Sequence, residues 1–431
     1  MSAPATDHLR KGWCPGALRP METGDGLLVR LRLTGGILPA ALALDLADAA
    51  RRYGGGAFDL SARANLQIRG VTAETLPDLT ERLSALGVLD DDAAGEAVRN
   101  VIASPLAGLD PAALLDIRPV VAALEHRLTT DTALHALPGK FGFAVEDGGA
   151  FPLGDLSVDL RFVAQPDGRF AILAGGRCEG PILGRCDAES VPETAAALAR
   201  AFLALRGPHR RMEPLAKDAG LATIATAAGL GTPDGAVASP RPAASVPGNL
   251  HAGERPVLAV AATFGRWSSD AIAALAGLAR DKGTGELRLT PWRCLLLPGV
   301  AMADAADTVA AHDLIVDPWD PRLSVAACAG APACSSGEGP TRELALDLAL
   351  EARLLAVSGT GLHVSGCPKG CAHPGASPVT IVARRGLYDL VIGGRAGDGT
   401  TREGLDRASV VAAVRSLAAE AARTPQERGR A

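Results

Sequence analysis

The sequence predicts an α+β chain of two similar halves, each a split βαβ unit followed by a larger α/β lobe. Three observations carry this. First, a constant offset of 229 lays residues 31–71 on 260–300, placing Gly36 on Gly265, Leu46 on Leu275, Leu60 on Leu289 and Gly70 on Gly299. Each copy reads strand, glycine turn, amphipathic helix, glycine-rich turn, strand, a ferredoxin-like pattern. Second, GRFAILAGGR (168–177) resembles GLYDLVIGGR (386–395) at an offset of 218. ALHALPGKFGF (133–143) likewise resembles GLHVSGCPKGC (361–371), which lays His135 on His363. Third, residues 231–249 are rich in Pro, Ala, Gly and Ser and read as a linker between the halves. The expected order is a half domain over 11–80, a lobe with basic loops over 81–230 and a linker over 231–250. A second half domain over 251–310 and a second lobe over 311–423 follow.

The chain has 431 residues, 48% hydrophobic and 21% charged, enough for several buried cores. A net charge of −5 gives no global basic field, so neither nucleic acid nor a membrane surface is an expected partner. Only five of the 43 basic residues are lysines. Arginine grips carboxylates with two parallel hydrogen bonds, which suits a polyacidic substrate. The first residues hold no apolar signal-peptide core, and no apolar run reaches the ~20 residues of a membrane span. A cytoplasmic protein is expected, and there clustered cysteines are more often metal ligands than disulfides. Cys14, Cys178, Cys186 and Cys294 are scattered and read as buried or incidental thiols.

The other four cysteines form C-x5-C (Cys328, Cys334), then 32 residues, then C-x3-C (Cys367, Cys371). Structural zinc usually uses C-x2-C or C-x4-C knuckles, and a redox dithiol C-x-x-C. A [4Fe–4S] cluster takes four thiolates from well-separated loops, one per iron, and suits this pattern better; zinc stays open as the lesser reading. Gly330, Gly366 and Gly370 let backbone approach the sulfides. Residues 342–357 have helical periodicity and lead into a short strand at 362–365, so a helix and a strand join the two loops.

In the first half, residues 28–32 and 62–69 alternate. Arg30 and Arg32 share one strand face; Arg63, Asn65, Gln67 and Arg69 share another. A solvent-facing strand would look the same. The repeat argues otherwise, because the matching positions are Trp292, Cys294, Leu296 and Pro298. One copy keeps a cationic face where the other is apolar. If the faces meet at a pseudo-twofold interface, a polar ligand lies against the first. Arg99 and Lys140, with Lys369 between the last two cysteines, complete the candidate set. His373 reads as a loop histidine. No G-x-G-x-x-G opens a helix after a strand, so electrons are expected from a separate donor.

On these motifs the sequence resembles the sulfite/nitrite reductase superfamily, with its doubled ferredoxin-like halves and its C-x5-C…C-x3-C cluster. The sirohaem reductases of that superfamily carry Cys-Pro-Asn-Gly-Cys; here Lys369 replaces the Asn. They also carry Lys-x-Lys where this chain reads Lys140-Phe141-Gly142. The variant is similar to the precorrin-3B synthases of the superfamily. The resemblance, covering residues 11–397, implies a pseudo-twofold sulfite/nitrite-reductase-like fold with Cys328, Cys334, Cys367 and Cys371 as ligands of a [4Fe–4S] cluster. It implies Arg30, Arg99 and Lys140 as catalytic residues, and Arg63, Asn65, Gln67, Arg69 and Lys369 as substrate-binding ones. It implies precorrin-3A and O2 as substrates, a non-haem iron, and a reductase or ferredoxin drawing ultimately on NAD(P)H. Sirohaem belongs only to the alternative, a sulfite or nitrite reductase.

Overall fold

The computed structural model describes residues 14–154, 156, 158–176, 178–231, 235–237, 246–356 and 359–423. The 229-residue repeat is present down to the backbone. Helix Ala40–Tyr53 maps onto helix Ser269–Lys282, and strand Ala57–Leu60 onto Glu286–Leu289. Residues that need a left-handed conformation coincide even where the side chain changed. Gly35 (φ 62°) falls on Phe264 (58°), and Ala64 (54°) on Arg293 (62°). A non-glycine residue pays for that conformation, so its retention marks turns fixed by the surrounding sheet.

The two half domains exchange strands. Ile37–Pro39 pairs antiparallel with Glu286–Leu289 of the other half, and Arg266–Ser268 pairs with Ala57–Leu60. Each half therefore completes the other's five-stranded sheet. The two helices pack on each other, and their buried faces are Ala-rich, Ala43, Leu46, Ala47 and Ala50 in one and the equivalent Ile272, Leu275, Ala276 and Ala279 in the other. One continuous core results, with members from Ala17 to Leu314. Ala-rich helices pay little side-chain entropy on burial and approach closely.

Each lobe is a second sheet with its own core. In the first, strands Val101–Ala103, Phe143–Glu146 and Leu160–Ala164 are parallel neighbours, and Arg169–Ala174 and Gly180–Asp187 continue antiparallel. In the second, Val325–Ala327, Leu362–Ser365 and Ser377–Arg384 are parallel, and Leu387–Gly394 and Arg402–Leu405 continue antiparallel. The match between 168–177 and 386–395 is thus real. The match between 133–143 and 361–371 is not. His135 lies in a 3-10 segment, Thr132–Ala136, whereas His363 lies in a strand. Lys140 precedes the middle strand of its lobe and Lys369 follows the middle strand of the other. The true counterpart of Cys328 is Ser104. Both follow the first strand of the lobe, and the Ser104 N–H bonds Val145 O (3.1 Å) as the Cys328 N–H bonds Val364 O (3.4 Å). Among the described residues no helix is long and apolar enough to cross a membrane.

Candidate active site

Parallel strands Val325–Ala327 and Leu362–Ser365 end side by side, so the two cysteine loops leave the sheet at one edge, where α/β sheets carry ligands. The Gly366 N–H points at the Cys328 Sγ (3.1 Å). Thr341 Oγ1 donates to the Cys328 carbonyl (2.6 Å), and the Glu338 N–H to the Gly366 carbonyl (2.7 Å), tying the loops together. Glycine is required where they touch. A Cβ on Gly366 would stand 2.9 Å from the Gly330 Cα and 3.5 Å from the Cys328 Sγ. Burial raises the Cys367 thiol pKa, and the nearby Cys328 and Cys334 raise it further. Cys371, exposed on one side, is raised by desolvation of its other side and by Cys367 and Cys328, while Lys369 and Lys140 pull it down. The four sulfurs thus share one neighbourhood.

Among the described residues no three His, Cys, Asp or Glu side chains close on a point that could hold one ion. Zinc needs such convergence, whereas a cubane needs four thiols spread over its corners, each on its own iron. The glycine cradle and the backbone N–H aimed at sulfur fit the cluster. The same finding leaves a non-haem iron without a ligand set here. His363, fully buried with its ring 5.8 Å from that of His373, has no hydrogen-bond partner on either ring nitrogen among the described residues and is pushed down to about 4, by burial first and then by His373 and Arg293.

The first half domain grips the cluster loop. Arg69 Nη2 donates to the Ala333 carbonyl (2.8 Å), and the Gly24 N–H donates to the same oxygen (3.2 Å). The Arg69 guanidinium also holds Asp25 (2.9 and 2.5 Å) and Asp59 (3.4 Å). Arg69, expected to bind substrate, is therefore committed to protein groups. The expected strand over 62–69 starts only at Leu66; Arg63 stands in the preceding turn that Ala64 closes. Asn65 and Gln67 are buried, Gln67 beside Arg30 in the sheet. Their side chains face a neighbouring strand or turn and not open solvent.

Arg30, Arg63 and Lys140 come together. Arg63 Nη2 donates to the Lys140 carbonyl (3.3 Å), and Lys140 lies within electrostatic reach of Cys371 and Lys369. Burial depresses Arg30 to about 10, with Arg32 and Arg63 adding to it. Burial, then Arg63, lowers Lys140. Among the described residues none of Arg30, Arg63 and Lys140 has a carboxylate within ion-pair distance. The backbone just after Lys140 is anchored by Asp159, which is fully buried and accepts from the Gly142 N–H (3.0 Å), the Met212 N–H (2.7 Å) and Arg211 (2.9 Å). Arg99 does not join this group. It pairs with Asp90 (2.7 Å) and Glu125 (3.0 Å) beside a separate cavity of about 440 Å³. The two carboxylates engage its guanidinium, away from the cysteine loops' cations.

Sequence reading missed Cys14. Its buried sulfur faces both Arg30 and Arg63. Glu96 holds this segment, accepting from the Ala17 N–H (2.6 Å) and pairing with Arg32 (3.2 Å). The only signal available was a Cys-Pro-Gly turn 16 residues ahead of Arg30, too weak to act on.

The sequence model of the nitrite/sulfite reductase ferredoxin-like half domain matches residues 19–86 and 254–312. That of the nitrite and sulphite reductase 4Fe-4S domain matches residues 94–230. A precorrin-3B synthase from Sinorhizobium sp is 31% identical over 90% of this chain and 84% of its own length. The chain belongs to the nitrite/sulfite reductase family. A ferredoxin–nitrite reductase of Synechococcus elongatus is 29% identical, covering 91% of this chain and 85% of that one. The Mycobacterium tuberculosis NirA structure superposes with a TM-score of 0.69 at 23% identity, over 87% of this chain and 76% of that one, which speaks for the fold. The family's 4Fe-4S domain supports an iron–sulfur cluster. Its match covers the first lobe, where the cysteines are Cys178 and Cys186, while the paired cysteines stand in the second, topologically equivalent lobe.

Proposed function

We propose that this member of the family is an oxygen-dependent monooxygenase that converts precorrin-3A to precorrin-3B. C20 is hydroxylated and a ring A acetate closes a γ-lactone. The balance is substrate, O2, two electrons and two protons giving product and water. The observation that carries the reading is the set Arg30, Arg63 and Lys140, cations without a carboxylate in ion-pair distance among the described residues, lying beside the cysteine loops. Arg30 and Arg63 are half-buried and Lys140 is exposed, and partly desolvated cations without a counter-ion are stabilised where a ligand supplies the anion. Precorrin-3A carries many acetate and propionate carboxylates, which arginine binds with two parallel charge-assisted hydrogen bonds. Arg30 and Arg63 would hold carboxylates from the sheet side. Lys140 and Lys369 would hold them from the two lobes, fixing the ring against the cluster loops. Arg69 serves the cluster loop and Arg99 the first lobe, so neither touches substrate in this scheme.

Cys328, Cys334, Cys367 and Cys371 would hold the [4Fe–4S] cluster, which supplies single electrons. An external reductase or ferredoxin, fed ultimately by NAD(P)H, provides them in the cytoplasm. The relative of 31% identity is a precorrin-3B synthase, and Lys140-Phe141-Gly142 lacks the second lysine of the sirohaem reductases. The nitrite reductase relatives keep a second reading alive, because sirohaem is also a polycarboxylate and would suit the same cations. The test is incubation of the reconstituted protein with precorrin-3A, ¹⁸O2 and a reductant. One labelled oxygen in the product is expected. A Soret band in the purified protein, with reduction of sulfite or nitrite, would replace this reading by the second.

A further inference from the structure

One cation outside the substrate group also reaches the cysteine loops. Arg69 is almost wholly buried, and it holds a main-chain oxygen of the loop between Cys328 and Cys334. The Ala333 carbonyl accepts two donors from the first half domain, Arg69 Nη2 and the Gly24 N–H. The approach is so close that a Cβ on Gly24 would stand 1.7 Å from the Pro332 carbonyl oxygen, so only glycine fits there. Asp25, next in the same turn, clamps Arg69 through two oxygens. Asp59 continues the network to Arg342 (3.4 Å), and the neighbouring Thr341 holds the Cys328 carbonyl. Both ends of the loop are thereby fixed by one charged chain rooted in the first half domain. Arg69 also lies within electrostatic reach of Cys334.

We propose that Arg69 and Asp25 form a charge pair that sets the reduction potential of the cluster and holds its first loop. The inference rests on the reading that the four cysteines carry the cluster. Reduction adds one negative charge to the cluster. A cation at Arg69 favours the reduced form, and a carboxylate at Asp25 opposes it. The two residues therefore pull in opposite directions, although they form one ion pair. A purely structural role would instead make loss of either partner act alike, by loosening the loop.

The test uses the full chain with its cluster reconstituted anaerobically, together with Arg69→Gln and Asp25→Asn. Iron and acid-labile sulfide are measured first. Four of each per chain are expected, and their absence from the parent protein would overturn the cluster reading and this inference together. The potential is then read by dye-coupled titration followed by electron paramagnetic resonance. With Arg69→Gln the equilibrium constant for one-electron reduction should fall roughly tenfold, about 59 mV lower. With Asp25→Asn it should rise, by a similar or smaller factor. Shifts of the same sign, or none in either variant, would overturn the pair while leaving the cluster reading intact. If Arg69→Gln does not keep its cluster, Asp25→Asn decides alone: a rise supports the pair and an unchanged or lower potential overturns it.

Discussion

Two pseudo-symmetric interfaces in this molecule have been put to opposite uses. The sheet of the first half domain faces the loop that follows the first strand of the second lobe, and the sheet of the second faces the same loop of the first lobe. In the second pairing Leu296, Val257, Ala259 and Ala252 close on Leu106 and Phe151 in a dry apolar cluster. In the first, Gln67 stands where Leu296 stands, Asn65 where Cys294 stands, and Arg69 reaches the Ala333 carbonyl. An arginine anchors each loop, although from different repeat positions, since Arg288 is the counterpart of Asp59 and Pro298 that of Arg69. Arg288 donates to the Pro105 and Ala107 carbonyls (3.4 and 3.2 Å) in the apolar pairing. Ser104 takes the place of Cys328 there, its Oγ accepting from the Asp147 N–H at 3.1 Å where the Cys328 Sγ meets the Gly366 N–H at 3.1 Å. One copy has become a core and the other a site. An apolar interface contributes roughly 25 cal/mol per Å² buried, whereas a buried charged one costs stability unless a ligand or cofactor completes it.

The sharpest break of this comparison removes a ligand from one copy and its counterpart from the other. Cys328→Ala should abolish iron and acid-labile sulfide after reconstitution, while Ser104→Ala leaves both at parental levels; metal analysis decides. Next in size is a swap of character. Leu296→Arg buries a charge in the apolar cluster without a partner and should cost at least about 3 kcal/mol, seen as a large fall in Tm. Gln67→Leu, the reverse exchange, should leave Tm nearly unchanged or raise it. A similar fall for both would mean that the two faces are equally structural.

How much of this could be read in the sequence differs between the two repeats. The half domains were legible because helices Ala40–Tyr53 and Ser269–Lys282 keep one spacing and share their glycine turns. The lobes diverged in loop length, so a chance likeness of Lys140 and Lys369 loops outweighed the true one. The true one aligns NVIAS (100–104) with SVAAC (324–328), where the chemistry itself changed from hydroxyl to thiol. The cysteine loops were legible because their spacing is nearly independent of context. The pairing of Arg69 and Arg99 was not legible, because an arginine's partners depend on which carboxylates the fold brings near it. Asp25 and Asp59 capture the one, Asp90 and Glu125 the other.

The site copy can also be sharpened from its own side. Arg63→Ala should leave the unfolding free energy within about 0.5 kcal/mol of the parent, since the guanidinium pairs with no carboxylate among the described residues. Its affinity for a polycarboxylate tetrapyrrole, read by fluorescence quenching, should drop roughly tenfold or more, the size of one charge-assisted hydrogen bond. Equal loss from Leu296→Ala would show that the effect is not particular to the cationic face.

The smallest expected effect is on pH. Burial, then Arg63, lowers the Lys140 pKa from its ordinary 10.5. Substrate carboxylates bind the protonated form, so affinity should fall as pH rises through the lowered pKa, starting at a lower pH than an exposed lysine would show. Folding responds with the opposite sign. The folded chain holds this proton less tightly than the unfolded chain, so stability rises with pH between the two pKa values. Lys140→Arg keeps its charge throughout and should flatten the binding profile, leaving only the loss from Arg30 near its depressed value of about 10. A profile that is the same in Lys140→Arg as in the parent would place Lys140 outside the carboxylate-binding set and return the alkaline limb to Arg30 alone.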